Sequence, residues 1–405
     1  MTSTLGRRAA AVLRPHRPVQ VLHVITTLTT GGAERQLELV TARTRHSSAV
    51  VTLYAGGPVA DAIRAGGVEV TELRATGWRK PFAPLLLARH IRRLRPDVVH
   101  VHLLSAQVIG IPAARLARVP VVVSTEHSLM ADTLEGRPLT WWLRLLYLAV
   151  ERLATHTVAV SAATADRLHR WGVRPDRVAV TRLGVDLDAL AFDDAARDGL
   201  RAELGVGPDT RVVGAVGRLA PVKRLDVVLR ALAPLLRDGA DGADGAGGAG
   251  AGTVLVVAGD GPLAADLRAL ADRLGVAHAV RWLGPREQMG PVLAAMDVLV
   301  SASADETFGM AVVEALGTGL PVVYAECPAL DELPEVPELA HRVPPSGDDE
   351  LDAERLRAAV TAALASSPAH GRAGAPTSVS RTYGAREAAA RLDDLYERLL
   401  ARRRG

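Results

Sequence analysis

The chain has 405 residues, 48% hydrophobic and 23% charged, which suits two or three domains with sizeable cores and excludes a mainly disordered protein. Its single cysteine, Cys327, rules out an internal disulfide and a cysteine-based zinc site, and fits a reducing compartment. All but two of the 48 basic residues are arginine, the exceptions being Lys80 and Lys223, and asparagine is absent, a bias expected of GC-rich coding. Charge is uneven: residues 1–190 carry 25 basic and 14 acidic side chains, whereas the remainder is net acidic. A basic front half suits an anionic partner such as a membrane surface or a phosphorylated substrate. Five Trp, five Tyr and three Phe offer little base stacking, so no nucleic acid is expected.

Near the N-terminus Arg7, Arg8, Arg14 and Arg17 are separated by short apolar runs that make no secretory signal. Residues 19–25 (VQVLHVI) read as an apolar strand, followed by a Gly-Gly turn and a helix over 33–44. Further strands are predicted at 49–54, 68–73, 97–102, 119–125 and 157–160, with helical periodicity between several of them. The longest apolar segment, 139–150, is cut by Arg144 and is too short to span a membrane. A second series runs through 211–216, 253–258, 279–282, 298–301 and 321–324. Short apolar runs alternating with helices predict an α/β protein of two doubly wound, Rossmann-like domains with parallel sheets. The boundaries fall at 1–190 for the first domain and 191–385 for the second, with a charged amphipathic helix at 386–405. Residues 239–252 (GADGADGAGGAGAG) read as a flexible surface insertion. The protein is expected in the cytoplasm, with peripheral contact at the inner membrane face through arginines such as Arg89, Arg92, Arg93 and Arg95.

In such sheets ligands bind beyond the carboxyl ends of strands, so the chemistry is sought there. After the first strand, Gly31-Gly32-Ala33-Glu34 opens a helix whose N-terminus favours an anion. His100 and His102 close the fourth strand, and His127 follows the fifth. Of these, His102 and His127 suit a polar cleft floor, while His100 suits packing or solvent. No further ligand pattern accompanies them, and no metal is assigned. In the second half, Gly217-Arg218 and Lys223 put two cations on one loop, able to meet a diphosphate from two sides. Val257-Ala-Gly259-Asp260-Gly261 reads as a tight turn allowing close approach of a ligand, and Trp282-Leu-Gly284-Pro-Arg286 as a contact for a nucleobase. Glu306 and Glu314 bracket seven residues around Gly309, with a helix expected from about Thr307. Eight helical residues span on the order of 12 Å, about the length of a nucleotide diphosphate sugar.

These motifs together resemble the retaining glycosyltransferases of family 4, which have the GT-B fold with two sheets facing a central cleft. The resemblance extends from Gly31-Gly32 to the terminal helix and is strongest in Glu306-x7-Glu314 followed by Gly319-Leu-Pro321. It implies transfer of a sugar from a nucleotide diphosphate sugar, with a UDP-sugar favoured, to a saccharide, lipid-linked or natural-product acceptor. It further implies catalytic roles for His127, Glu306, Arg218 and Lys223. Donor binding would fall to Gly32, Arg218, Lys223, Gly309, Glu314 and Arg286, and the acceptor side to Gly31, Glu34 and His102. No metal and no cofactor beyond the co-substrate are implied. Two departures stand out: Leu183-Gly184-Val185-Asp186 lacks the asparagine usual before the linker, and Ala325-Glu326-Cys327-Pro328 replaces a Gly-Gly-Pro-like loop. Rival readings are an epimerase or phosphorylase of the same fold, and a non-catalytic nucleotide-sugar-binding subunit.

Overall fold

The computed structural model describes residues 18–29, 31–238, 252–366 and 371–404. The arginines at 7, 8, 14 and 17, and all of the Gly/Ala insertion except Gly252, lie outside the described residues. The first domain contributes strands β1 (Gln20–Ile25), β2 (Ser47–Thr52), β3 (Glu69–Glu72), β4 (Val98–His102), β5 (Val121–Glu126), a small hairpin β6 (Thr133–Leu134) and β7 (Arg137–Pro138), then β8 (His156–Ala159) and β9 (Val178–Val180). Helices α1 (Gly32–Thr41), α2 (Pro58–Ala65), α3 (Ala83–Leu94), α4 (Leu104–Leu116), α5 (Trp141–Glu151) and α6 (Ala162–Trp171) alternate with them. The second domain holds β10 (Arg211–Val216), β11 (Thr253–Ala258), β12 (Val280–Gly284), β13 (Val298–Ser301), β14 (Val322–Tyr324) and β15 (Ala340–Arg342). Its helices are α7 (Asp194–Glu203), α8 (Leu225–Asp238), α9 (Ala264–Arg273), α10 (Met289–Ala295), α11 (Met310–Gly317), α12 (Pro328–Asp331), α13 (Asp349–Ser366), α14 (Thr377–Tyr383) and α15 (Ala385–Arg404).

Both large sheets are parallel, ordered β3-β2-β1-β4-β5-β8-β9 and β12-β11-β10-β13-β14-β15. Central strands such as Val98–His102 and Val121–Glu126 are buried throughout, because helices cover both faces, and this is why they read as unbroken apolar runs. The strands absent from the sequence reading are β9 and β15 at sheet edges, and the two-residue hairpin. β9 and β15 are short and partly exposed, so they carry no apolar run to detect.

Two features position the site. Asp297, just before β13, accepts hydrogen bonds from the Val212 amide at 2.7 Å and from Arg197 at 2.6 Å, fixing α7 against β10. Helix α15, the end of the chain, returns to the first sheet. Its Leu392, Leu395, Tyr396 and Leu399, spaced for one helical face, pack on Val21, Val98 and Val121. The return passes a crossing where the Val185 amide donates to the Tyr383 carbonyl at 2.7 Å, and Gly184 sits so close beneath Ala388 that a Cβ there would lie 2.7 Å from it.

Candidate active site

In each sheet the order reverses between two central neighbours, β1 with β4 and β10 with β13, so the loops leaving their carboxyl ends diverge and open a crevice. At β10 the chain turns at Gly217, whose φ of 142° favours glycine. A single helical turn, Pro221–Lys223, then brings the Lys223 ammonium into an ion pair with Glu306, which leaves β13. The Ala304 amide donating to the Val222 carbonyl at 2.9 Å ties the two loops together. Beside this pair lies a cleft of about 330 Å³ lined by Gly217, Arg218, Lys223, Ser301 and Ser303. Arg218 is exposed and its guanidinium forms no ion pair among the described residues, leaving a cation available to an anion. Lys223 is 29% exposed and Glu306 10%.

The helix expected from Thr307 begins instead at Met310, with Gly309 as its N-cap at φ 94°. Only glycine fits this N-cap: its φ is left-handed and a Cβ there would run into the Sγ of Cys327. Glu306 therefore stands on a loop and Glu314 on a helix, and the estimate of one continuous helical span between them does not apply. Glu314 is half-buried, its carboxyl pushed up to about 7 by burial against the opposing pull of Arg35. Arg35, in the first turn of α1, is a charged residue beside Glu314 that the sequence reading does not single out. It follows the Gly-Gly turn directly and also donates to the Arg286 carbonyl at 3.3 Å, across the two domains.

Among the other candidates, the Arg286 side chain pairs with Glu203 at 3.2 Å. The Trp282 ring is half-buried, packing against the core with the Arg268 guanidinium 5.5 Å from its centroid. Gly259 and Gly261 serve backbone packing: a Cβ at Gly259 would strike the Gly217 carbonyl, and one at Gly261 would lie 2.5 Å from the Leu219 carbonyl. The N-terminus of α1 already holds the buried carboxylate of Glu34, folded so tightly onto Gly31 that a Cβ there would collide with it. Burial raises the Glu34 carboxyl, while Thr29 hydrogen-bonds to it. Gly32 faces open space, so sterics alone do not require glycine there.

The first sheet's crevice has a different floor. His23 on β1 lies in register with His100 on β4, and His102 is two residues on, so alternation puts all three imidazoles on one face. His23 Nδ1 is 3.2 Å from His102 Nε2, and His102 Nδ1 is 3.4 Å from His127 Nε2. His100, expected to pack or face solvent, is wholly buried, with Tyr396 of α15 at 2.6 Å from Nδ1 and Thr125 at 2.6 Å from Nε2. Burial holds His23 down at about 3 and His127 at about 4, so both are neutral at pH 7. Ring nitrogens of His23, His100 and His102 lie within 4.8 Å of one another, the spacing of a metal site. However, both nitrogens of His100 and both of His102 are already engaged in hydrogen bonds, so the set fits a polar network better than a metal cage. His23 and Tyr396 were not singled out in the sequence; a histidine inside an otherwise apolar strand was the available signal.

The two crevices face each other. Thr307 donates to the His127 carbonyl at 2.8 Å, Ser161 donates to the Thr307 carbonyl at 2.6 Å, and Arg167 pairs with Asp305. The Lys223–Glu306 pair and Arg218 thus lie on the loop side of the second sheet that Thr307 ties to His127, with the Arg35 charge acting on Glu314 from the first domain.

This is the fold of the GT-B glycosyltransferases: two parallel α/β domains meeting carboxyl end to carboxyl end. Residues 30–189 match the family described as Glycosyltransferase Family 4, and residues 210–364 that described as Glycosyl transferases group 1. The chain belongs to the family 4 type of glycosyltransferases. It is 33% identical over 244 residues to a D-inositol 3-phosphate glycosyltransferase of Corynebacterium efficiens, covering 56% of this chain and 55% of that protein. The protein of the same name from Mycobacterium marinum is 34% identical over 247 residues, covering 56% and 48%. The chain thus spans about half the length of the curated relatives it matches. Among solved structures, Anabaena HepE in complex with UDP and glucose has a TM-score of 0.77 at 22% identity, covering 94% of this chain and 100% of that one. WaaG, a glycosyltransferase involved in lipopolysaccharide biosynthesis, has a TM-score of 0.62 at 20% identity, covering 94% and 98%. At these identities the structural likeness speaks for the fold.

Proposed function

We propose that the chain is a retaining glycosyltransferase that moves a sugar from a nucleotide diphosphate sugar to a hydroxyl-bearing acceptor. The observation that carries this reading is the Lys223–Glu306 pair beside the free cation of Arg218, at the point where the second sheet reverses its order. A leaving diphosphate gains negative charge as the sugar departs. Arg218 and Lys223 stabilise that charge in a cleft that excludes much of the water. Glu306, held by Lys223, is left to accept hydrogen bonds from sugar hydroxyls, and Glu314 from the ribose. His127 stands at the face where the acceptor enters. Retention follows a front-face course, in which the departing phosphate oxygen takes the acceptor's proton.

UDP is the favoured nucleotide, supported by the structural neighbour that carries it. The acceptor class is a saccharide, a lipid-linked or natural-product hydroxyl, or a phosphorylated polyol of the kind named in the curated relatives. Thermal-shift titration with UDP- and GDP-sugars, followed by product mass spectrometry over that acceptor panel, tests the reading. Transfer abolished by Lys223→Ala and Glu306→Ala supports it. Near-normal transfer in both variants, or isomerised donor without acceptor, sinks it.

We also propose peripheral contact with an anionic membrane. Trp78 (80% exposed), Phe82 and Leu85 before and on α3, and Trp141, Trp142, Leu145 and Leu146 on α5, present apolar surface on either side of α4. The exposed Arg89, Arg92, Arg93 and Arg144 accompany them. Aromatic and arginine side chains together suit the interfacial zone of a bilayer. No helix among the described residues is long and apolar enough to cross one. Sedimentation with phosphatidylglycerol vesicles, lost in high salt and in the Trp141→Ser/Trp142→Ser variant, is the expected result. This reading carries with it a location at the inner membrane face.

A further inference from the structure

We infer that His23, His102 and His127 form one hydrogen-bonded imidazole chain whose coupled tautomers decide whether His127 meets a ligand as proton donor or as acceptor. The consequence for turnover rests on the proposed transfer reaction; the chain itself rests on geometry alone. His127 Nε2 faces His102 Nδ1 at 3.4 Å, and His102 Nε2 faces His23 Nδ1 at 3.2 Å. Each contact brings two ring nitrogens within hydrogen-bond reach, and each needs one proton between them. Burial keeps all three rings uncharged. A neutral imidazole carries one donor and one acceptor nitrogen, so a choice made at one ring fixes the next.

Only two arrangements satisfy both contacts. In one, all three protons are on Nδ1: His127 offers Nδ1–H outward and its Nε2 accepts from His102, whose Nε2 accepts from His23. In the other, all three are on Nε2, and His127 presents a bare Nδ1 able to accept a proton. Conversion between them balances. A proton that a ligand gives to His127 Nδ1 sends the Nε2 proton to His102 Nδ1. The His102 Nε2 proton then passes to His23 Nδ1, and the His23 Nε2 proton leaves at the far end. That end borders a mainly apolar cavity of about 40 Å³ between the sheet, α1 and α15, lined by all four histidines with Gln36 and Leu392, and a water reaching His23 Nε2 there would receive the released proton.

His100 stands outside the chain. Its two nitrogens are taken by Tyr396 and Thr125, and its ring lies 4.2 Å from that of His102, a wall for the chain and no link in it. His102 and His23 are therefore positioning residues acting through His127.

The test is ¹⁵N NMR of the full-length protein labelled at histidine. In the unsubstituted protein the three rings should share one sense, protonated at Nδ1 in all or at Nε2 in all, or exchange with equal populations. A mixed pattern, with two N–H groups or two bare nitrogens facing each other, overturns the chain without any variant. Two substitutions add a causal test. His102→Phe keeps a ring in the layer but carries no proton, and His23→Gln breaks the farther link at a ring with no contact to His127. Both should change the tautomer ratio of His127, and His100→Phe should not. Both should also lower turnover on the order of tenfold to a hundredfold, less than loss of a general base outright, with donor KM unchanged. His127 signals unmoved in both variants, or moved as far by His100→Phe, overturn the inference. So does a stoichiometric metal ion in the purified protein bound by His23, His100 and His102. A matched pattern without any glycosyl transfer would count against the proposed reaction and leave the chain standing.

Discussion

The two points of strand reversal are built alike and furnished differently. Where β10 meets β13, a lysine and a glutamate form an ion pair at the edge of solvent. Where β1 meets β4, imidazoles stack in a largely buried layer, where burial holds His23, His100, His102 and His127 below their ordinary value. The difference follows from burial. An ion pair near the surface costs little to desolvate, whereas a charge in the closed layer would cost far more than a neutral hydrogen-bonded ring. One half of the cleft is thus suited to balancing the charge of a leaving group, and the other to handling protons without creating charge. The sheet topology supplies the location in both cases, and exposure selects the chemistry.

The contrast breaks most sharply at Lys223. Replacing it or Glu306 with alanine should lower turnover by about 10²–10³, the scale of removing one preorganised charge-stabilising group. Melting temperature should change little for Lys223→Ala, since the ammonium is partly exposed; steady-state kinetics with calorimetry checks both halves of this statement. Lys223→Arg should recover only part of the loss, because a planar fork does not replace a compact ammonium.

A second test reads the histidine layer through stability. His23 and His127 have folded-state values of about 3 and about 4 against an ordinary 6.5, with His100 and His102 also lowered by burial. The unfolded chain therefore binds protons that the folded one refuses, and stability should be lost as pH falls from about 6.5 towards 4. Glu126 and Glu314, both raised to about 7 by burial, act in the opposite sense between 4.5 and 7. The histidines are more numerous and those with values are shifted as far or farther, so their sign should prevail. Melting temperature against pH should peak between about 6 and 7. Glu314→Gln should flatten the fall on the neutral side and leave the acid limb intact.

The smallest expected effect is Tyr396→Phe. It removes the hydroxyl from His100 Nδ1, leaving a buried nitrogen without its partner at a cost of about 1–3 kcal/mol. Denaturant melts should detect that loss, and turnover should not change.

Much of this molecule is legible in its sequence because parallel strands covered on both faces leave dense apolar runs. The loops after residues 216 and 301 were therefore found, and with them Arg218, Lys223 and Glu306. What escaped detection depends on contacts between distant segments. The N-cap of α11, Gly309, packs against Cys327, 18 residues beyond it, and the first turn carries no signal of that neighbour. Arg35 matters because it donates to a carbonyl of the other domain and its charge acts on Glu314 there. Tyr396 matters because the last helix returns to the first sheet, far from the histidine it satisfies. The Gly259 turn misled in the reverse direction: glycines that invite a ligand in sequence are there to admit a neighbouring strand's loop.

One further consequence comes from the place where the chain passes between domains. It crosses outward near Val185 and returns at Gly384, and the two crossings lie side by side, paired as a short parallel bridge. Separating or sliding the two domains at this point would have to break that backbone pairing, a restraint that one linker alone would not supply.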